Sequence, residues 1–152
     1  MKYIISLLFF IVAHISSAQI SFESGSVQLE SDLNTINAGA NLDFGAFKTD
    51  LSISYNVSEK KLDYMHGELN MAAGEIYLAL EISKLSKTSI DGVIQTHQMH
   101  KNKGWGYVAR QLGIKPGSEE FHQLKNNSKN KASNHKHPKA KGKSKGKSKK
   151  KA

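Results

Sequence analysis

His97 and His100 lie one helical turn apart, and His122 follows further along the chain. Imidazoles at such spacing are common ligands of zinc, copper or nickel. No acid stands at HExxH spacing, so these three are weak metal candidates, and the plainer reading is surface or half-buried histidine. Ser89, Asp91 and His97 offer the residue types of a hydrolytic triad. Ser89 and Asp91, however, fit a helix cap and the first-turn acid that the helix dipole favours. Glu119 and Glu120 are adjacent, so they point to different faces rather than pairing across a substrate. Gly104-Trp105-Gly106 lacks the GxxxxGK spacing of a phosphate loop. The absence of cysteine excludes a thiol nucleophile, a disulfide scaffold and Cys-based metal centres. No catalysis and no cofactor is expected from these residues.

Arg110 and Gln111 are plausible readers of base edges. They would lie on the second of two short helices, within residues 89–112, joined by Lys101-Asn102-Lys103-Gly104 in the manner of a helix-turn-helix. This nucleic-acid reading is the alternative to the one that charge suggests.

The formal net charge of +9 averages over two opposite pieces. Residues 19–125 hold nine Lys, one Arg and thirteen acids, a net charge of −3. Residues 126–152 hold eleven Lys and no acid, with a KGKS repeat at 141–148. Arg reads anions bidentately, whereas Lys acts as a point charge. The lysines of this segment, chiefly Lys136, Lys139, Lys141, Lys143, Lys145, Lys147, Lys149, Lys150 and Lys151, therefore attract polyanions by charge density. With no large apolar residue, the segment is expected to be a disordered tail.

Met1-Lys2 gives a positive start, Tyr3–Ile15 is mainly apolar, and Ser16-Ser17-Ala18 supplies small residues. That three-part layout reads as a secretory signal peptide cleaved after Ala18. Its apolar run is about 13 residues, short of the roughly 20 that cross a bilayer as a helix.

The remainder must position these groups. Between Ile36 and Ala46 apolar and polar residues alternate, a period-two pattern, but Gly, Asn and Ala are poor strand formers. Residues 19–46 are therefore expected to be an extended or poorly ordered lead. Residues 47–57 fit a strand by alternation and a helix by Phe47, Leu51 and Tyr55. From Ser58 onward, caps and glycines mark short helices: Glu59–Met65 after Ser58, a longer one through Met71–Leu85 after Asn70, another after Ser89, then Val108–Leu112 and a last one after Ser118. The expected fold is mainly α, a small bundle of short helices over about 47–125, after the lead and before the tail.

The stretch from Gly104 to Lys125, GWGYVARQLGIKPGSEEFHQLK, resembles the signature of a family of uncharacterised exported bacterial proteins that often end in a basic low-complexity tail. The resemblance spans roughly 47–125 and implies a helical domain and export, but no activity. Within it, Trp105 and Phe121 read as core anchors. Gly106, Gly113 and Gly117 grant backbone freedom, and Pro116 stiffens a turn.

Together these features imply an exported, non-enzymatic interaction protein, secreted or periplasmic after cleavage. Its tail would hold it to anionic envelope polymers, lipid headgroups or extracellular nucleic acid, and its helical domain could take a protein partner. No small-molecule substrate is evident.

Overall fold

The structure, a computed structural model, describes residues 19–136. The expected signal peptide (1–18) and the lysines from Lys139 onward lie outside the described residues. Helices α1 (Val27–Leu42), α2 (Phe44–Tyr55), α3 (Glu59–Gly67), α4 (Ala73–Ser86) and α5 (Ile90–Met99) follow in order. A 3-10 turn (Lys101–Lys103) leads into α6 (Gly104–Gln111), and α7 (Glu119–Lys136) closes the bundle. The described residues contain no strand, as expected for the mainly α class.

Helix α4 is the hub. Its run Ile76-Tyr77-Leu78-Ala79-Leu80-Glu81-Ile82 is buried on every side. A helix that is apolar all round can only be stable when covered all round, and α1, α2, α3, α5 and α7 supply that cover. Each fully buried Leu or Ile contributes roughly 1.5–3 kcal/mol relative to exposure.

The helical bundle is wider than expected at both ends. Within 19–46, only a short arm preceding α1 is extended; it places Phe22 and Ser24 inside and Ser21 and Glu23 outside. From Ser26, whose hydroxyl caps Leu29 N at 3.4 Å, the chain is helical. Leu29, Leu33, Ile36 and Ala40 form one buried stripe. The alternating set is split by this stripe: Ile36 and Ala40 turn inward, whereas Ala38 is exposed and Leu42 is 88% exposed. Tertiary packing here overrides the weak helix propensity of Asn and Gly. The helix–strand ambiguity at 47–57 resolves as α2, with Phe47 and Leu51 buried and Ile53 left outside.

At the other end, the boundary at Asn126 is also corrected. Helix α7 continues to Lys136 because Leu124, Ser128 and Ala132, spaced at i, i+4 and i+8, are all buried. The two small residues let α7 lie close along α1. Leu124 shares a crevice with Leu29, and Asn134 lines a groove with Gly39 and Asp43. The two helices therefore run in the same direction. Including Lys129, Lys131 and Lys136, residues 19–136 carry twelve Lys, one Arg and thirteen acids, a net charge of zero.

Two finer expectations shift as well. Asn70 adopts a left-handed backbone (φ +55) rather than capping, and α4 starts at Ala73, where the Glu75 carboxylate accepts from Ala72 N at 2.9 Å. The helix expected at Val108–Leu112 starts earlier, with Gly104-Trp105-Gly106 as its first residues, and ends at Gln111.

Candidate functional site

Trp105, the one tryptophan, is buried and organises the most chemically dense region. Its Nε1 donates to Glu75 Oε1 at 3.1 Å. His97 stacks on its ring at 4.1 Å between centroids, tilted by 10°. His97 Nε2 stands 4.0 Å from the same Glu75 oxygen. Burial pushes the His97 imidazole below its ordinary 6.5; Glu75 pulls it up, and Lys101 pushes it down again.

Glycines bring the N-terminal arm onto this cluster. Trp105 N donates to Phe22 O and Gly106 N to Glu23 O, both at 3.0 Å. A Cβ on Gly106 would stand 2.8 Å from Ser24 O and 2.9 Å from Glu23 O. The arm is also fastened to α1. Glu30 accepts from Phe22 N at 2.9 Å and Ser24 N at 2.6 Å, and Asn34 clamps Ile20 through its N at 2.9 Å and its O at 3.0 Å.

The other signature residues also pack or turn the chain. Gly113 (φ +92) lets Ile114 return, where its N donates to Ala109 O at 2.9 Å and its side chain is buried. Lys115-Pro116-Gly117-Ser118 forms a turn with Ser118 N on Lys115 O at 3.0 Å, and Phe121 is half-buried beside Trp105.

The three candidate histidines are not brought together. His97 belongs to the Trp105 stack, His100 meets the Tyr107 ring edge-on at 5.0 Å, and His122 is exposed on α7. Among the described residues no group of three or more His, Asp or Glu is placed to hold a metal ion. Ser89 caps Gly92 N at 3.2 Å, and Asp91 pairs with Lys61 across the surface. Glu120 is held below the usual carboxylate range by its own backbone N–H and the Ser118 hydroxyl, the signature of a helix N-terminus.

The helix-turn-helix reading meets an obstacle of geometry. In such units the first residues of the second helix touch the bases. Here the first turn of α6 is covered by Phe22–Ser24. Arg110 and Gln111 are exposed at the far end, with Arg110 Nε donating back to Gly106 O at 3.3 Å.

One polar cluster was not foreseen from sequence. Glu81 is only 2% exposed. One of its oxygens accepts from the Tyr55 hydroxyl, and the other accepts from Asn127 Nδ2 at 2.8 Å. Tyr77 meets Tyr55 edge-to-face at 6.3 Å. Burial raises both phenols, and the neighbouring Glu81 carboxylate raises them further. A carboxylate inside an otherwise apolar run was the available signal; its partner Asn127 lies in a stretch of tail-like composition. With both oxygens engaged by neutral donors, the cluster is a tie between α2, α4 and α7.

The His97–Trp105 stack gives a direct optical readout. Native Trp105 fluorescence is expected to fall as pH drops through a midpoint below 6.5, because imidazolium quenches a stacked indole, and to lose that step in His97→Gln. Since the folded-state value is depressed, the stability contributed by neutral His97 is full above about pH 6.5 and is lost as pH falls through the folded-state value. A pH titration of emission, run beside urea midpoints, checks both.

Compared with known protein families, curated proteins and solved structures, the chain matches none.

Proposed function

We propose that this is an exported, non-enzymatic interaction protein that adheres to anionic polymers or lipid surfaces through its lysine-rich C-terminal segment. The observation that carries the reading is charge partition. Residues 19–136 sum to zero, whereas the sixteen residues after them hold eight Lys and no acid. Attraction to a polyanion then comes from one end of the chain and works by counterion release, so it is strongly salt-dependent. A folded body whose polar side chains are spent on caps, turns and buried ties suits a carrier or head better than a catalyst. Export is inferred from the layout of residues 1–18, and the body begins at once after the expected cleavage site, with Ile20 already held by Asn34.

The test compares the mature chain with one ending at Lys136 on immobilised heparin. Ending at Lys125 would be uninformative, because it removes Ser128 and Ala132 from the core. At low salt the full mature chain is expected to be retained and to elute as salt rises. The shortened chain is expected to flow through. Equal retention would remove the lysine segment from the explanation.

A further inference from the structure

We propose that the mature protein carries a pyroglutamate at its N-terminus, formed by cyclisation of Gln19; the proposal rests on export with cleavage after Ala18. Cleavage there makes Gln19 the first residue. An N-terminal glutamine holds a nucleophilic amine and an amide carbonyl carbon at the separation that closes a five-membered lactam. In the reaction the α-nitrogen attacks Cδ. The N–Cδ bond forms, the Cδ–Nε2 bond breaks, and Nε2 leaves as ammonia with a proton taken from the α-amine. No oxidant, metal or co-reactant is consumed. An α-amine ordinarily titrates near 7.7–8.0, so a useful fraction is already neutral at physiological pH.

The fold leaves this chemistry open at position 19 and closes the chain immediately after it. Gln19 is exposed, and its side chain makes no hydrogen bond to another described residue. It stands at the rim of an open groove of about 740 Å³ along α1, lined also by Asn34, Asn37 and Asn41. Ile20, by contrast, is gripped on both its N–H and its carbonyl by Asn34. The backbone is therefore immobilised up to Ile20, while the amine and carboxamide of Gln19 are free to meet. The ring forms without undocking the arm.

The lactam also has work to do in this fold. The carbonyls of Phe22 and Glu23 satisfy the first amides of α6, and Phe22 is a core residue at 1% exposure. Exopeptidase trimming from Gln19 would reach those groups within a few residues. A lactam has no free amine for an aminopeptidase to bind, so cyclisation shields the arm on which α6 depends, and it removes the positive charge of the N-terminus.

The experiment is intact-mass spectrometry and N-terminal sequencing of the full chain exported by a bacterial host and held overnight at neutral pH. The expected product is shorter than the precursor by residues 1–18 and lighter by one further ammonia. It resists Edman degradation until pyroglutamyl peptidase exposes Ile20. A chain that starts at Gln19 and keeps a free amine would overturn the cyclisation and leave the export reading standing, as would an exported chain starting at any other residue. A chain retaining Met1 would overturn both. The Gln19→Ser variant should be exported with a free amine and no mass deficit. The same ammonia loss in that variant would place the reaction elsewhere and overturn the assignment.

Discussion

Alanine at position 104 is expected to remove about 3–5 kcal/mol of stability, enough to leave a domain of this size marginal. Gly104 adopts φ 69° and ψ 171°, a region that is essentially glycine's alone and costs other residues of order 1–3 kcal/mol. A Cβ there would also overlap the Glu23 side chain and approach Glu23 O to 3.2 Å. The two penalties act together, because moving the arm away to relieve the overlap breaks the hydrogen bonds that Phe22 O and Glu23 O accept from α6. Gly113 is the internal control. It too has positive φ, but nothing stands within 4 Å of its would-be Cβ. Gly113→Ala should therefore cost about 1 kcal/mol through backbone strain alone. Urea denaturation of both variants gives the comparison. If Gly104→Ala is no worse than Gly113→Ala, arm docking contributes nothing to the fold.

The second large effect is expected at Glu81. Truncation to alanine leaves the Tyr55 hydroxyl and the Asn127 carboxamide without their acceptor inside the bundle. Both donors are half-buried and water can meet part of their need, so each costs toward the lower end of about 1–3 kcal/mol, and with the lost packing Glu81→Ala should destabilise by roughly 2–4 kcal/mol. Tyr55→Phe removes one donor and leaves a carboxylate oxygen unmet, at a cost of about 1.5–3 kcal/mol. The double variant should cost less than the sum, since both singles break the same tie. Thermal or chemical unfolding of the three variants reads this out, and strict additivity would show that the two residues are not coupled. There is also an alkaline signature. Tyr55 and Tyr77 keep their protons in the folded state beyond their ordinary value of 10, whereas the unfolded chain releases them there. The stability they contribute is full below about pH 10 and is lost as pH rises above it.

The helical class was legible because caps announce themselves. Ser58 and Ser89 read as helix starts from residue type alone, and each does cap a backbone N–H. The terminal boundaries were not legible, and for one reason at both ends. Leu29, Leu33, Ile36 and Ala40 make a sound helical stripe, but Asn and Gly between them lower the propensity that a single sequence displays. At the other end, Leu124 is the last large apolar residue of a stripe that continues with serine and alanine, which resemble tail composition yet are what close helix–helix approach needs. In the candidate site, the roles of Trp105 and Gly113 could be read from residue type. The docking of Gly106 onto Ser24 and Glu23 could not, because it joins segments about eighty residues apart that only the fold brings together.

The shared direction of α1 and α7 gives the body a polarity. Eighteen residues of α7 advance roughly 27 Å from the Trp105 pole to the pole where Asn134 and Asp43 line one groove. Helix α7 ends at that second pole, and the lysines beyond Lys136 are joined to the body there. A molecule held through those lysines would have its Asp43 corner nearer the attachment and its Trp105 pole farther from it.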